Sequence, residues 1–234
     1  MKLGIIGAMD VEVALLKEEM KNVTTEKRAG STYYEGTLEG LPVVVVQCGV
    51  GKVNAALCVQ ILISVYEVTH LVNTGSAGSL CADLDIGDLV VSRDAIYHDF
   101  DISYWGRAIG EVPGMGVVAF PANANMIECA FAAAENVNPG HTRTGRIASG
   151  DQFVCSKEKK DKIIADTAAQ CTEMEGAAIA HTAYRNGVPF VILRAISDKA
   201  DDSAEMDYPT FEAIAARRCA EVTMAMAKSL GDKL

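Results

Sequence analysis

Two short apolar runs, Val43-Val44-Val45-Val46 and Phe190-Val191-Ile192-Leu193, constrain this chain more than any other feature. Each has the length of a strand and falls far short of the ~20 residues that span a membrane. Neither alternates with polar residues, as a strand buried on both faces would not. Such strands need a helix layer on each side. The remaining chain supplies that alternation. Strand-like runs at 2–7, 31–38, 70–73, 88–92 and 145–150 are interleaved with helical patterns at 11–20, 53–66, 122–137, 157–166 and 173–185, with a final helix within 208–230. A hairpin is expected around Glu39-Gly40, and small-residue turns are expected after strands at Gly7, Gly49, Gly75 and Gly150, with 74–78 as a loop. No repeat, linker or low-complexity tract interrupts the pattern. The expected fold is a single α/β domain over 1–234 with a mainly parallel or mixed sheet.

Charge and cysteine usage narrow the function classes. The formal net charge of −10 argues against a nucleic-acid binder, which needs a basic stripe, and against attachment to an anionic membrane. Seven cysteines lie singly at 48, 58, 81, 129, 155, 171 and 219, without a C-x-x-C pair. That dispersal suits reduced, mostly buried thiols in a cytoplasmic protein. Asp10 and Glu12 interrupt the first apolar residues, so no secretory signal is expected.

Several motif readings fail on chemistry. Gly4-x-x-Gly7 lacks the glycine spacing of a dinucleotide turn, and Asp10 and Glu12 would repel a phosphate there. Gly49-Val50-Gly51-Lys52 has Val46 in place of the first glycine of a phosphate loop and Val53 in place of its hydroxyl. Gly75-Ser76-Ala77-Gly78 is not a nucleophile elbow. His98-Asp99-Phe100-Asp101 has no second cluster to complete a metal site, and neither a metal nor a cofactor is expected. The segment 99–121, rich in Gly and Pro, reads as a long functional loop.

Three carboxylates near strand ends carry the chemical signal: Glu12, Glu175 and Asp198. Each has a plain alternative. Glu12 and Glu175 could be first-turn glutamates stabilised by a helix dipole, and Asp198 an N-cap. Arg194, late on an apolar strand, needs an anionic partner. Carboxylates with few cations suit bond cleavage through a cationic transition state, as in glycoside hydrolysis, whereas phosphoryl transfer would gather Lys and Arg. The residues alone point to a hydrolase or lyase acting on a neutral or cationic substrate.

GIIGAMDVEVALL at 4–16, GVGKVNAA at 49–56, NTGSAG at 73–78, SGDQF at 149–153, EMEGAAIA at 173–180 and RAISD at 194–198 occur together in this order. On these segments the chain resembles the 5′-methylthioadenosine/S-adenosylhomocysteine nucleosidases of the nucleoside phosphorylase superfamily, over residues 1 to 230. The resemblance implies a three-layer α/β/α sandwich with a central mixed sheet, a homodimer, and hydrolysis of the adenine–ribose bond. It assigns Glu12 as general base on water and Asp198 as general acid on adenine N7. Glu175 would hold the ribose hydroxyls, Met174 would pack on the sugar, and Phe153 would stack on the base, with the backbone of Val154 at its edge. Ser76 and Arg194 would position the water and the acids, and Ser197 would steady Asp198. Val50 and Gly78 join the expected binding set. Ile102, Trp105, Pro113 and Tyr208 would line the 5′ end, partly across the dimer. Trp105 and Tyr208 stand where the family commonly has phenylalanine, and Ser79 where it often has glycine. These departures leave the 5′ preference open, including 6-amino-6-deoxyfutalosine. A phosphate-dependent phosphorylase and a non-catalytic nucleoside-binding protein are the other readings.

Overall fold

The computed structural model describes residues 1–201 and 203–231, so 202 and 232–234 of the expected domain lie outside the described residues. Its order is β1 (Leu3–Gly7), α1 (Asp10–Glu19), β2 (Lys21–Arg28), β3 (Ser31–Leu38), β4 (Leu41–Gln47), α2 (Lys52–Ser64), β5 (His70–Ser79), β6 (Leu89–Tyr97), β7 (Phe120–Pro121), α3 (Ala124–Val137), β8 (Thr142–Ser149), α4 (Lys157–Thr167), β9 (Cys171–Glu173), α5 (Gly176–Asn186), β10 (Phe190–Asp198) and α6 (Ala204–Gly231).

All the strands join one mixed sheet. β1 lies parallel between β4 and β5, while β3 and β2 extend that edge as an antiparallel meander. β10 runs parallel to β5 and antiparallel to β6, β6 is parallel to β8, β8 is parallel to β9, and β9 returns antiparallel to β5. The sheet therefore closes a ring through β5, β10, β6, β8 and β9.

The apolar runs sort their side chains by parity, as a period of two requires. Leu3, Ile5, Val43, Val45, Val191 and Leu193 face one core with α1, α3 and α6. Ile6, Val44, Val46, Phe190 and Ile192 face the other with α2 and α5. Two helix layers thus enclose the sheet, and no helix among the described residues is long and apolar enough to cross a membrane.

Two expectations need correction. Residues 74–78 are not a loop, because β5 runs unbroken through them to Ser79. Their small side chains leave room for large neighbours. A Cβ on Gly75 would overlap Glu12 Oε1 and approach Arg194 Nη1 to 2.7 Å, and one on Gly78 would meet Asp198 Oδ1 at 2.7 Å and Ala200 Cβ at 2.8 Å. Nor does Glu173 begin a helix. It ends the short strand β9, and the helix starts at Gly176.

Candidate active site

The carboxyl ends of β1, β5 and β10 and the turn from β9 into α5 surround a cleft. Open α/β sheets bind ligands at that edge. Glu12, Val50, Ser76, Gly78, Phe153, Val154, Met174, Glu175, Ser197, Asp198 and Tyr208 all line it. Ile102, Trp105 and Pro113 do not. They sit on the long segment after β6, where Trp105 is 74 % exposed. Arg194 does not reach the cleft either. At the middle of β10 it is fully buried behind the wall.

Glu12 occupies the third position of α1 and is 4 % exposed. Its Oε2 accepts from the backbone N–H of Ala8 at 2.7 Å and of Met9 at 3.1 Å, and its Oε1 from that of Ser76 at 3.0 Å. The glutamate thus closes the first turn of its helix, as the plain reading expects, and also faces the cleft. Burial pushes its pKa up, against the opposing charge of Arg194 and the three backbone bonds.

Asp198 ends β10 and caps no helix. Its Oδ1 accepts from the Ala200 N–H at 2.8 Å and its Oδ2 from the Ser197 hydroxyl at 2.9 Å. Burial raises its pKa above these opposing bonds, so it keeps a proton to higher pH than an exposed aspartate.

Glu175 stands at the N-cap of α5 without capping it. Its Oε1 accepts from the Gly51 N–H at 2.7 Å. Burial, then the charge of Glu173, pushes its pKa up to about 8. Glu173 does the capping instead, accepting from the N–H groups of Glu175 at 3.0 Å and Gly176 at 2.8 Å. It also takes the Ser149 hydroxyl and pairs with the Arg194 guanidinium. Burial works against its charge, yet the Arg194 charge and these bonds hold its pKa below the usual range. Arg194 gives a second bond to the Asn73 side chain.

The anionic partner that Arg194 needs is therefore Glu173. The signal was present in the unpaired cation and the neighbouring acidic segment, but spacing could not choose between Glu173 and Glu175. Met9, Gln152 and Thr172 also line the cleft without having been singled out. The Tyr208 hydroxyl donates to Glu212 at 3.0 Å and lies 3.3 Å from Met9 Sδ, and the Tyr208 ring meets Phe153 edge-on with centroids 5.5 Å apart.

The cleft wall contains Glu12, Glu173, Glu175 and Asp198 and, among the described residues, no Lys, Arg or His. Such a wall stabilises developing positive charge and can exchange protons through Glu12 and Asp198. It offers nothing to neutralise a bound anion. The packing behind it is tight enough to test. Gly75→Ala is expected to displace Glu12 and Arg194 and destabilise the fold by ~1–3 kcal/mol, with a lower thermal midpoint and reduced turnover in the same protein. An unchanged midpoint with full activity would show that the wall can yield.

A phosphorylase superfamily profile matches residues 2–228. A curated 5′-methylthioadenosine/S-adenosylhomocysteine nucleosidase from Exiguobacterium sp. is 38 % identical over 231 residues, covering 98 % of this chain and 99 % of that protein. The crystal structure of the corresponding Neisseria meningitidis nucleosidase in complex with methylthio-immucillin-A has a TM-score of 0.94 at 37 % identity, covering 97 % of this chain and 99 % of that one. A futalosine hydrolase of Helicobacter pylori has a TM-score of 0.92 at 32 % identity, covering 100 % and 98 % of the two chains.

Proposed function

The chain belongs to the phosphorylase superfamily, among its 5′-methylthioadenosine/S-adenosylhomocysteine nucleosidases, and from that premise we propose how its cleft breaks the bond between adenine and ribose. The observation that carries the reading is a wall of four carboxylates without a cation. Water, rather than phosphate, suits it as nucleophile.

In this reading Glu12 takes a proton from water as the oxygen attacks C1′ of the ribose. Burial raises its pKa, and its three backbone donors and the Arg194 charge work against that rise, toward the ionised form that a base requires. Asp198, which burial keeps protonated to higher pH, gives its proton to N7 of the purine, so that adenine leaves neutral. The electron pair of the breaking bond goes to the base. Positive charge develops on the sugar meanwhile, and the ionised Glu12 stabilises it electrostatically. Glu175 accepts from the ribose hydroxyls, and Met174 packs on the sugar. Phe153 covers the purine, the Val154 backbone reads its edge, and Val50 and Gly78 close the walls. Ser76 holds the water with Glu12, and Ser197 holds Asp198. Arg194 acts through Glu173, which fixes the start of α5 and so the position of Glu175.

Ile102, Trp105 and Pro113 would complete the 5′ end of the site from a second copy in a homodimer, since none reaches the cleft of its own chain. All seven cysteines are free, five of them buried, which fits a reducing cytoplasm. The single sheet supports one domain over 1–234.

The test is adenine release from 5′-methylthioadenosine and S-adenosylhomocysteine with and without phosphate. Release that does not depend on phosphate is expected, and strict phosphate dependence would overturn the reading. The likeness to a futalosine hydrolase favours a second substrate, 6-amino-6-deoxyfutalosine, and the same assay ranks the three by kcat/KM.

A further inference from the structure

Three segments beside the cleft are joined by charges that the mechanism above leaves unused. Asp99 follows β6, Lys52 opens α2 after β4, and Asp151 follows β8. Asp99 Oδ2 accepts from Lys52 Nζ at 2.5 Å and from the Asp151 backbone N–H at 2.9 Å. Asp151 closes the triangle. Its Oδ1 accepts from the Lys52 backbone N–H at 2.9 Å, and its Oδ2 lies 3.6 Å from Lys52 Nζ. Lys52 Nζ also sits over the Tyr97 ring, 5.5 Å from the centroid. The Lys52 and Asp99 side chains are 25 % and 15 % exposed, sheltered enough for the pair to be screened less than a surface one.

None of the three lines the cleft, but each adjoins something that does. Gly51, just before Lys52, gives its N–H to Glu175 Oε1. Gln152, Phe153 and Val154, just after Asp151, form one wall. We propose that Lys52, Asp99 and Asp151 are positioning residues, a clamp that fixes the Gly51 donor on Glu175 and the segment 152–154 at a set separation, so that the sugar and base subsites form as one unit.

A nucleoside presents base and sugar at a fixed distance, so two independently moving loops would have to be ordered at binding. The clamp completes that ordering beforehand. Glu12 and Asp198 are held by other groups, through Ala8, Met9 and Ser76 and through Ser197 and Ala200. Loss of the clamp should therefore weaken binding more than chemistry.

The inference rests on the proposed nucleosidase reading for its substrate alone. The experiment measures adenine release from 5′-methylthioadenosine by Lys52→Met, Lys52→Arg and Asp99→Asn, together with amide exchange at 49–53 and 150–155 in the ligand-free full chain. Lys52→Met and Asp99→Asn are expected to raise KM about tenfold, the cost of ordering one or two groups at binding, while kcat stays within about threefold. Exchange should quicken in both segments, and Lys52→Arg should retain most of the parent's KM. An unchanged KM, unaltered exchange, or a fall in kcat alone, as from fewer folded molecules, overturns the clamp. If the parent itself released no adenine, the nucleosidase reading would fail, while amide exchange would still decide whether the charges join the two loops.

Discussion

Asp198→Asn is expected to lower kcat for adenine release about a thousandfold, within the ~10²–10⁴-fold that a positioned general acid contributes. Asparagine keeps the shape and can still accept from the Ala200 N–H, and its amide can donate to the Ser197 hydroxyl. The fold should therefore survive, with KM little changed, because the lost interaction belongs to the transition state. Stability supplies an independent readout. The folded chain holds the Asp198 proton to higher pH than the ordinary value of 3.8. The contribution of this group to stability is thus complete below that value and is lost as pH rises through the raised folded pKa. Asparagine does not titrate, so the thermal midpoint of the variant should gain on that of the parent as pH rises above about 4, until the raised folded pKa is passed. Near-normal turnover by this variant would remove Asp198 from its role.

Glu12→Gln should cost turnover on the same scale, ~10²–10⁴-fold, by removing the proposed base. Its structural consequence differs in kind. Three backbone N–H groups point at the two Glu12 oxygens. Glutamine offers one oxygen and one NH₂, so at least one buried N–H must face another donor. An unmet buried donor costs about 1–3 kcal/mol, against which removing a buried charge is favourable. A folded, nearly inactive protein with a modest change in thermal midpoint is expected. Adenine release near the parent rate would exclude Glu12 as the base. Steady-state rates and melting curves on the same preparations separate the chemical loss from the structural one.

The β-branched runs and their glycine turns announce the layered fold because a strand buried on both faces has no other use for such residues. The carboxylates at 12, 175 and 198 were legible as a set for a related reason: acidic groups close to apolar strand ends are costly without a purpose. What sequence hid is where tertiary contact overrides local preference. Thr74 to Gly78 has the composition of a loop, yet it is strand because Glu12, Arg194, Asp198 and Ala200 fill the space its missing side chains leave. Lys21 to Arg28 has no apolar alternation, since every residue of β2 is exposed, and only pairing with β3 makes it a strand. β9 is three residues long, too short for any periodicity to register. The carboxylate that Arg194 meets was likewise undetermined, because Glu173 and Glu175 differ by two positions in sequence and by opposite pKa directions in space.

Glu12 is held wholly by main-chain donors, at Ala8, Met9 and Ser76. A main-chain N–H persists through any exchange of side chain except proline. Mutation at Met9, whose side chain lines the cleft beside Tyr208, can therefore remodel the pocket's outline while leaving Glu12 its three bonds. Acceptance of new 5′ groups and retention of hydrolysis are, in this architecture, separable traits. A library randomised at Met9 should yield altered substrate ranking far more often than dead enzyme, and the same decoupling gives natural descendants of this chain room to change diet without first losing the reaction.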